Sequence, residues 1–173
     1  IFHLNGRTYI SGATQVVLSA SDRHSGLESI RYKLDRGKEK IYTRPVQVNR
    51  VGLHTMEYHA RDHVMNRSVR EKLVFYVDNK PPQLQVSYSA KPETTGKDGL
   101  PVFPADMLIY IGAVDMETEI DRVYYSINGG TDVLYRNPIS GLPPGKTITL
   151  DIYAVDRLDN VVGIIRRFRT EPG

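Results

Sequence analysis

The sequence predicts an all-β chain made of two β-sandwich domains in tandem. Three observations carry this: apolar and polar residues alternating with a period of two, strand-length runs separated by turn residues, and an internal repeat of about ninety residues.

The alternation is clearest in Ile30-Arg31-Tyr32-Lys33-Leu34-Asp35, where apolar and charged residues strictly take turns. Successive side chains of a strand point to opposite faces, so this pattern gives one buried face and one wet face. Val16, Leu18 and Ala20 alternate in the same way, as do Met56, Tyr58 and Ala60. No stretch holds a helical period for three turns.

The runs recur at roughly ten-residue spacing, the cadence of a sandwich. Strands are predicted near 8–11, 15–21, 28–35, 40–43, 46–48, 53–61 and 68–77, and again near 84–88, 107–114, 122–127, 133–136, 148–155 and 161–169. Asp35-Arg36-Gly37 and Asn128-Gly129-Gly130 supply the positive-φ residues that tight hairpins need.

The repeat is read in register. Ala20 and Asp22 fall on Ala113 and Asp115, Leu27 on Ile120, Ile30 on Val123, Tyr32 on Tyr125, Leu34 on Ile127 and Gly37 on Gly130. Tyr42, Pro45, Val46 and Gly52 fall on Tyr135, Pro138, Ile139 and Gly145. After one inserted residue, Ala60, Asp62 and Asn66 fall on Ala154, Asp156 and Asn160. Turn, core and loop positions match together, which is expected of a duplicated domain. The boundary is expected at Asp78-Asn79-Lys80-Pro81-Pro82, where two prolines stiffen an extended linker, giving domains 1–79 and 80–173. The Gly-, Pro- and charge-rich segment Ser89–Asp106 is expected to be an exposed loop without counterpart in the first domain.

With 40% hydrophobic and 25% charged residues, the composition is that of a soluble globular protein, and no apolar run is long enough to span a bilayer. There is no cysteine, which excludes disulfides, thiolate metal sites and thiol nucleophiles. Residues 1–80 hold 14 Lys+Arg and 8 Asp+Glu, a balance of +6, whereas residues 81–173 hold 9 and 12, a balance of −3. All five His lie in the first half. Without an initiator Met or signal pattern at Ile1, the chain reads as part of a longer protein.

Several strings in the first half share one order: Asp22 then Ser25-Gly26-Leu27, Tyr32 to Gly37, Tyr42 to Val46, Gly52 to His54, Ala60 to Asn66, and Val-Asp-Asn-x-Pro-Pro at the exit. This order resembles the OmpL47-type repeat of bacterial surface proteins. The run Tyr125 to Ile139 also looks like the small C-terminal sandwich of chitobiase-type glycosidases. The resemblance implies two tandem immunoglobulin-like β-sandwich domains, and an extracytoplasmic place in the periplasm or at the cell surface. The second copy departs at Thr118-Glu119, where the repeat has Ser-Gly, so a loop of different shape is expected there.

No motif for catalysis is present. Ser25, His24 and Asp22 have the residue types of a nucleophilic triad, but near-consecutive loop residues cannot converge as a triad must. In an immunoglobulin-like sandwich the loops that carry Asp22 and Asp62 share one end, as do those of Asp115 and Asp156. The linker would deliver Asp78 and Asn79 to the latter pair, and such converging oxygens suit Ca²⁺. The competing expectation is that each Asp and Asn caps its own turn. Asp22, His24, Asp62 and His63 make a second candidate set, for Zn²⁺ or Ni²⁺. Arg31, Lys33, Arg36 and Lys38, continued by Lys40 and Arg44, form a basic stripe with Arg31 and Lys33 on the exposed face. The stripe is suited to an anionic glycan, lipopolysaccharide phosphate or an acidic surface of another envelope protein; without a binding motif or interleaved aromatics, nucleic acid is not expected. The expected role is a non-catalytic structural and interaction segment of a larger bacterial envelope or secreted protein. The alternative is a glycan- or cell-wall-binding accessory module of an envelope enzyme or transporter.

Overall fold

The computed structural model describes residues 1–21 and 26–172, and the chain divides into two compact units, Ile1–Asn79 and Lys80–Gly173. Among the described residues there are only strands, turns and loops, and no helix is long and apolar enough to cross a membrane. Each unit is an immunoglobulin-like β-sandwich.

In the first unit, β1 (Phe2–Leu4) and β2 (Arg7–Ile10) form a hairpin that leads into β3 (Gln15–Val16). There follow β4 (Leu27–Leu34), β5 (Lys40–Ile41), β6 (Val46–Gln47), β7 (Gly52–Asp62) and β8 (Glu71–Val77). One sheet has the order β1-β2-β8-β7-β4-β5, with β2 parallel to β8; the facing sheet is the short pair β3-β6. Ile10, Leu18, Ile30, Val48, Met56, Phe75 and Val77 fill the space between, with Tyr32, Tyr42 and Tyr58 packed at its margin.

The second unit comprises β9 (Gln83–Tyr88), β10 (Thr94–Thr95), β11 (Pro101–Phe103), β12 (Ile109–Val114), β13 (Ile120–Ile127), β14 (Val133–Leu134), β15 (Thr147–Asp156) and β16 (Val161–Thr170). Its large sheet runs β10-β11-β16-β15-β13-β14, again with one parallel pair, β11 with β16. The second sheet is β9 paired with β12, and β12 bridges to Ile139 at Ile109. Phe103, Met107, Ile109, Ile148, Leu150, Ile152 and Phe168 are central to its core.

The repeat positions occupy corresponding places in each unit. Tyr32 meets Tyr42 edge-on at 6.4 Å and 80°, and Tyr125 meets Tyr135 at 6.4 Å and 78°. These rings are half-buried rather than fully enclosed, and the Ile111 N–H donates to the Tyr135 hydroxyl at 3.1 Å. Register shifts fall at Leu27/Ser29 and at Ile120/Arg122, so both units carry a bulge at the start of the same strand.

Three expectations need correction. The segment Ser89–Asp106 does have a counterpart: its β10-β11 hairpin stands beside the last strand of its unit as β1-β2 does in the first. Positive φ at Gly6 (74°) and Gly99 (78°) serves both turns. The loop at Thr118-Glu119 keeps the backbone turn that glycine would supply, because Glu119 takes φ 71° where Gly26 takes 75°. A side chain in the left-handed region costs about 1 kcal/mol, which the surrounding loop bonds offset. Third, the strand expected over 15–21 is assigned only at Gln15–Val16, since its remaining residues have no strand beside them among the described residues.

Candidate functional site

Two of the candidate carboxylates sit where long central strands end. β7 finishes at Asp62 and β15 at Asp156, and each chain must turn at once to send back β8 or β16. In the first unit, Asp62 Oδ1 accepts the N–H groups of Val64 (3.0 Å) and Asn66 (2.7 Å), and Oδ2 accepts Asn66 Nδ2–H at 2.9 Å. In the second, Asp156 Oδ1 accepts from Leu158 (2.7 Å) and Asn160 (2.9 Å), and Oδ2 accepts Asn160 Nδ2–H at 2.8 Å. The Asp62 and Asp156 N–H groups each donate to the Asn carbonyl four residues on, at 3.1 Å. The turns need positive φ at Met65 (76°) and Asp159 (63°), and the buried carboxylates hold them there.

Thr118 adds a tie between two loops of the second unit. Asp115 Oδ1 accepts the N–H groups of Glu117 (3.0 Å) and Thr118 (2.7 Å). Thr118 Oγ1, fully buried, lies 3.2 Å from Asp115 Oδ1 and 3.1 Å from Asp156 Oδ2. Its one proton serves one carboxylate at a time. Lone pairs directed at these donors shape loops, which is the turn-capping expectation.

Asp78 and Asn79 end the first unit. Asp78 is buried and its N–H donates to the Ile10 carbonyl at 3.0 Å. Asn79 Oδ1 accepts the Gly12 N–H, while its Nδ2–H donates to the Asn49 carbonyl at 3.1 Å. A Cβ on Gly12 would come within 2.6 Å of the Asn79 amide, so glycine is needed for this approach. Of the second metal set, Asp22 and His24 lie outside the described residues, Asp62 is the loop clamp, and His63 is exposed.

The basic stripe divides between two faces. Lys38, Lys40 and Arg44, with Tyr32 and Leu34, line an open groove of about 1040 Å³ in the first unit. Arg31 and Lys33 point to the other side of β4 and are half-buried rather than exposed, paired across the sheet with His59 and Glu57 of β7. Glu39, inside the stripe, faces Arg31 (3.9 Å), Arg70 (3.9 Å) and the buried His59 (4.0 Å). Burial lowers the pKa of His59, opposed in part by Glu39. Arg36 is exposed and borders a different depression, beside Asp35.

Sequence reasoning missed the most polar part of this region. His54 is buried beneath the β4–β5 hairpin, with Nδ1 2.9 Å from Asp35 Oδ2 and Nε2 2.6 Å from the Arg50 carbonyl. Asp35 Oδ1 accepts the Thr55 N–H at 3.0 Å, and Arg50 Nη2 is 3.1 Å from Oδ2. Asn128 fills the corresponding place in the second unit, accepting the Thr149 N–H at 2.7 Å. A histidine at an inward position of an alternating strand was the available signal.

No protein-family model matches the chain, and no curated protein matches it. Among solved structures it is similar to the fibronectin(III)-like modules of Clostridium thermocellum CbhA, at 10% identity and a TM-score of 0.47. That match covers 96% of this chain and 90% of the other.

Asp35 gives a pH test. Burial, the largest single influence, pushes its carboxyl up, but the Thr55 N–H, the His54 ring and the Arg50 guanidinium together hold it below the ordinary aspartate value. A lowered carboxylate contributes stability above its unfolded pKa of about 3.9 and loses it as pH falls through the folded value. Asp35→Asn keeps the Thr55 bond, as Asn128 shows, but cannot ionise. Chemical denaturation across pH should find wild type more stable than Asp35→Asn at neutral pH, with the gap closing in acid. A gap that does not vary with pH would contradict this assignment.

Proposed function

We propose that the chain is a non-catalytic structural and interaction segment of a larger bacterial cell-envelope or secreted protein, made of two tandem copies of an OmpL47-type module. The recurrence of one Asp-to-Asn loop clamp at the end of the long strand in both units carries this reading. Carboxylates bonded to their own loops fix shape; they have few lone pairs left to accept a substrate proton. The matching sheet orders support duplication. Paired rigid modules of this kind space or present other parts of the parent protein, outside the cytoplasm.

A second reading, an accessory module that binds an anionic glycan, is favoured by the groove lined by Lys38, Lys40 and Arg44. Apolar floor and cationic rim are the elements of a site for an acidic sugar. The chain should be applied to purified peptidoglycan and to arrays of acidic and neutral glycans at physiological ionic strength. The spacer reading predicts no more retention than that of a K38A/K40A/R44A variant. Saturable binding that the triple variant loses would replace it with the glycan reading.

Calcium held by Asp115 and Asp156, the second unit's members of the calcium set expected from the sequence, is proposed beside either reading, favoured by Asp115 Oδ2, which has no bonding partner among the described residues. Binding to the folded state alone raises the melting temperature with ligand concentration. The melting temperature should rise in millimolar Ca²⁺ relative to a chelated sample, and Asp115→Asn should abolish the rise. Superimposable curves for the wild-type chain would end the proposal.

A further inference from the structure

We propose that the edge Val16–Ser21 of the first unit is a strand-acceptor site, and that its occupant is one extended polypeptide strand leading into β1 from its N-terminal side. The occupant's chemistry is that of β9: an apolar residue at every second position, running antiparallel to the edge.

The second unit shows what seats on this edge. There β9 pairs along all of β12, placing Leu84 opposite Ala113, Val86 opposite Ile111 and Tyr88 opposite Ile109. Leu84, Val86 and Tyr88 pack on the core, and the Tyr88 ring stacks on Phe103 at 4.8 Å. The corresponding residues of the first unit are Ala20, Leu18 and Val16, as their bridges fix: Val16 pairs with Val46 where Ile109 pairs with Ile139. Among the described residues, no strand pairs with Val17–Ser21.

The core of the first unit differs from that of the second along this edge. Along β15, Ile148, Leu150, Ile152, Ala154 and Asp156 are buried in strict alternation, with Ile152 1% and Ala154 0% exposed. Along β7 the alternation fails at Tyr58 and Ala60, the counterparts of Ile152 and Ala154, which are half-buried. A hollow of about 430 Å³ lies there, lined by Ala20, Ile30, Tyr58, Ala60 and Val69 among others. Val69, on its rim, is 81% exposed. In the second unit, Leu84 lies opposite Ala113, the counterpart of Ala20 on the rim of this hollow. The hollow has an apolar floor of Ala20, Ile30, Tyr58 and Ala60 and a polar rim of Ser19, Ser21, Ser68 and Glu71. An unpaired edge beside such a floor is a template for strand addition, with main-chain bonds supplying affinity and alternate side chains supplying fit.

The direction of approach follows from the leading hairpins. β9 runs through five residues into β10, and the β10-β11 hairpin holds the place that β1-β2 holds in the first unit. A strand that leads into β1 through a link of that length reaches the edge without crossing another element.

The test grafts Gln83–Glu93 of this chain directly before Ile1 of the full 173-residue protein. Hydrogen exchange at Val17–Ser21 should slow at least tenfold, and the melting transition of the first unit should rise by roughly 4–8 °C, the shift about 1 kcal/mol produces in a domain this small. A control graft with the Leu84 and Val86 equivalents replaced by Asp should do neither. Unchanged exchange with the apolar graft, or equal protection by the charged graft, would overturn the proposal. The free peptide Pro82–Ala90 is the third arm. Protection by this peptide but not by the graft would also overturn it, by showing an edge that takes strands from elsewhere.

Discussion

The fold of each unit depends on a carboxylate at the last position of a long central strand. β7 and β15 have a partner on both sides, so each needs a neighbour that returns at once through a short loop. Asp62 and Asp156 make that return possible by satisfying two backbone N–H groups and one side-chain amide of a five-residue turn. A buried N–H without an acceptor costs about 1–3 kcal/mol, and Leu158, whose N–H the Asp156 carboxylate accepts, is buried. The positive φ of Met65 and Asp159 is tolerated for the same reason. The Asp62 and Asp156 carboxylates thus have a role in backbone chemistry.

From this shared frame the surfaces diverge. The first unit places Asp35, His54 and Arg50 under its hairpin, where the second has the neutral Asn128. It also gathers His59, Arg31 and Arg70 around Glu39 on the outer face of its large sheet. The second unit uses Thr118 to tie two loops through their carboxylates. These differences leave strand order untouched: His54 keeps an inward position of β7, and the others lie at hairpin ends, in loops or on the outer face.

Much of the frame was legible because its signals are periodic. Ile30 to Leu34 alternate, Tyr32 and Tyr125 mark one repeated core position, and Asp62 with Asn66 announces a loop that recurs at Asp156 with Asn160. β2 was expected near 8–11, but β1, β10 and β11 escaped because they are too short to alternate and because β2 and β11 each join the last strand in parallel. Asn5-Gly6, with φ of 50° and 74°, carried a hairpin signature that the surrounding residues did not reinforce. Glu119 in a glycine-like conformation was beyond reach, since its strain is offset by contacts that only the folded loop creates. The division of the basic stripe was hidden for another reason: charge spacing does not reveal that Glu39 folds back among the cations.

The clamp is open to direct measurement by residue-resolved amide exchange at neutral pH, comparing Asn66, Leu158 and Asn160 with their flanking strands. If the carboxylates hold these loops, the three amides exchange on the order of a hundredfold more slowly than unstructured chain, close to the rates of neighbouring strand residues. Exchange at the free-loop rate while the strands remain protected would contradict this account, leaving Asp62 and Asp156 available for other chemistry.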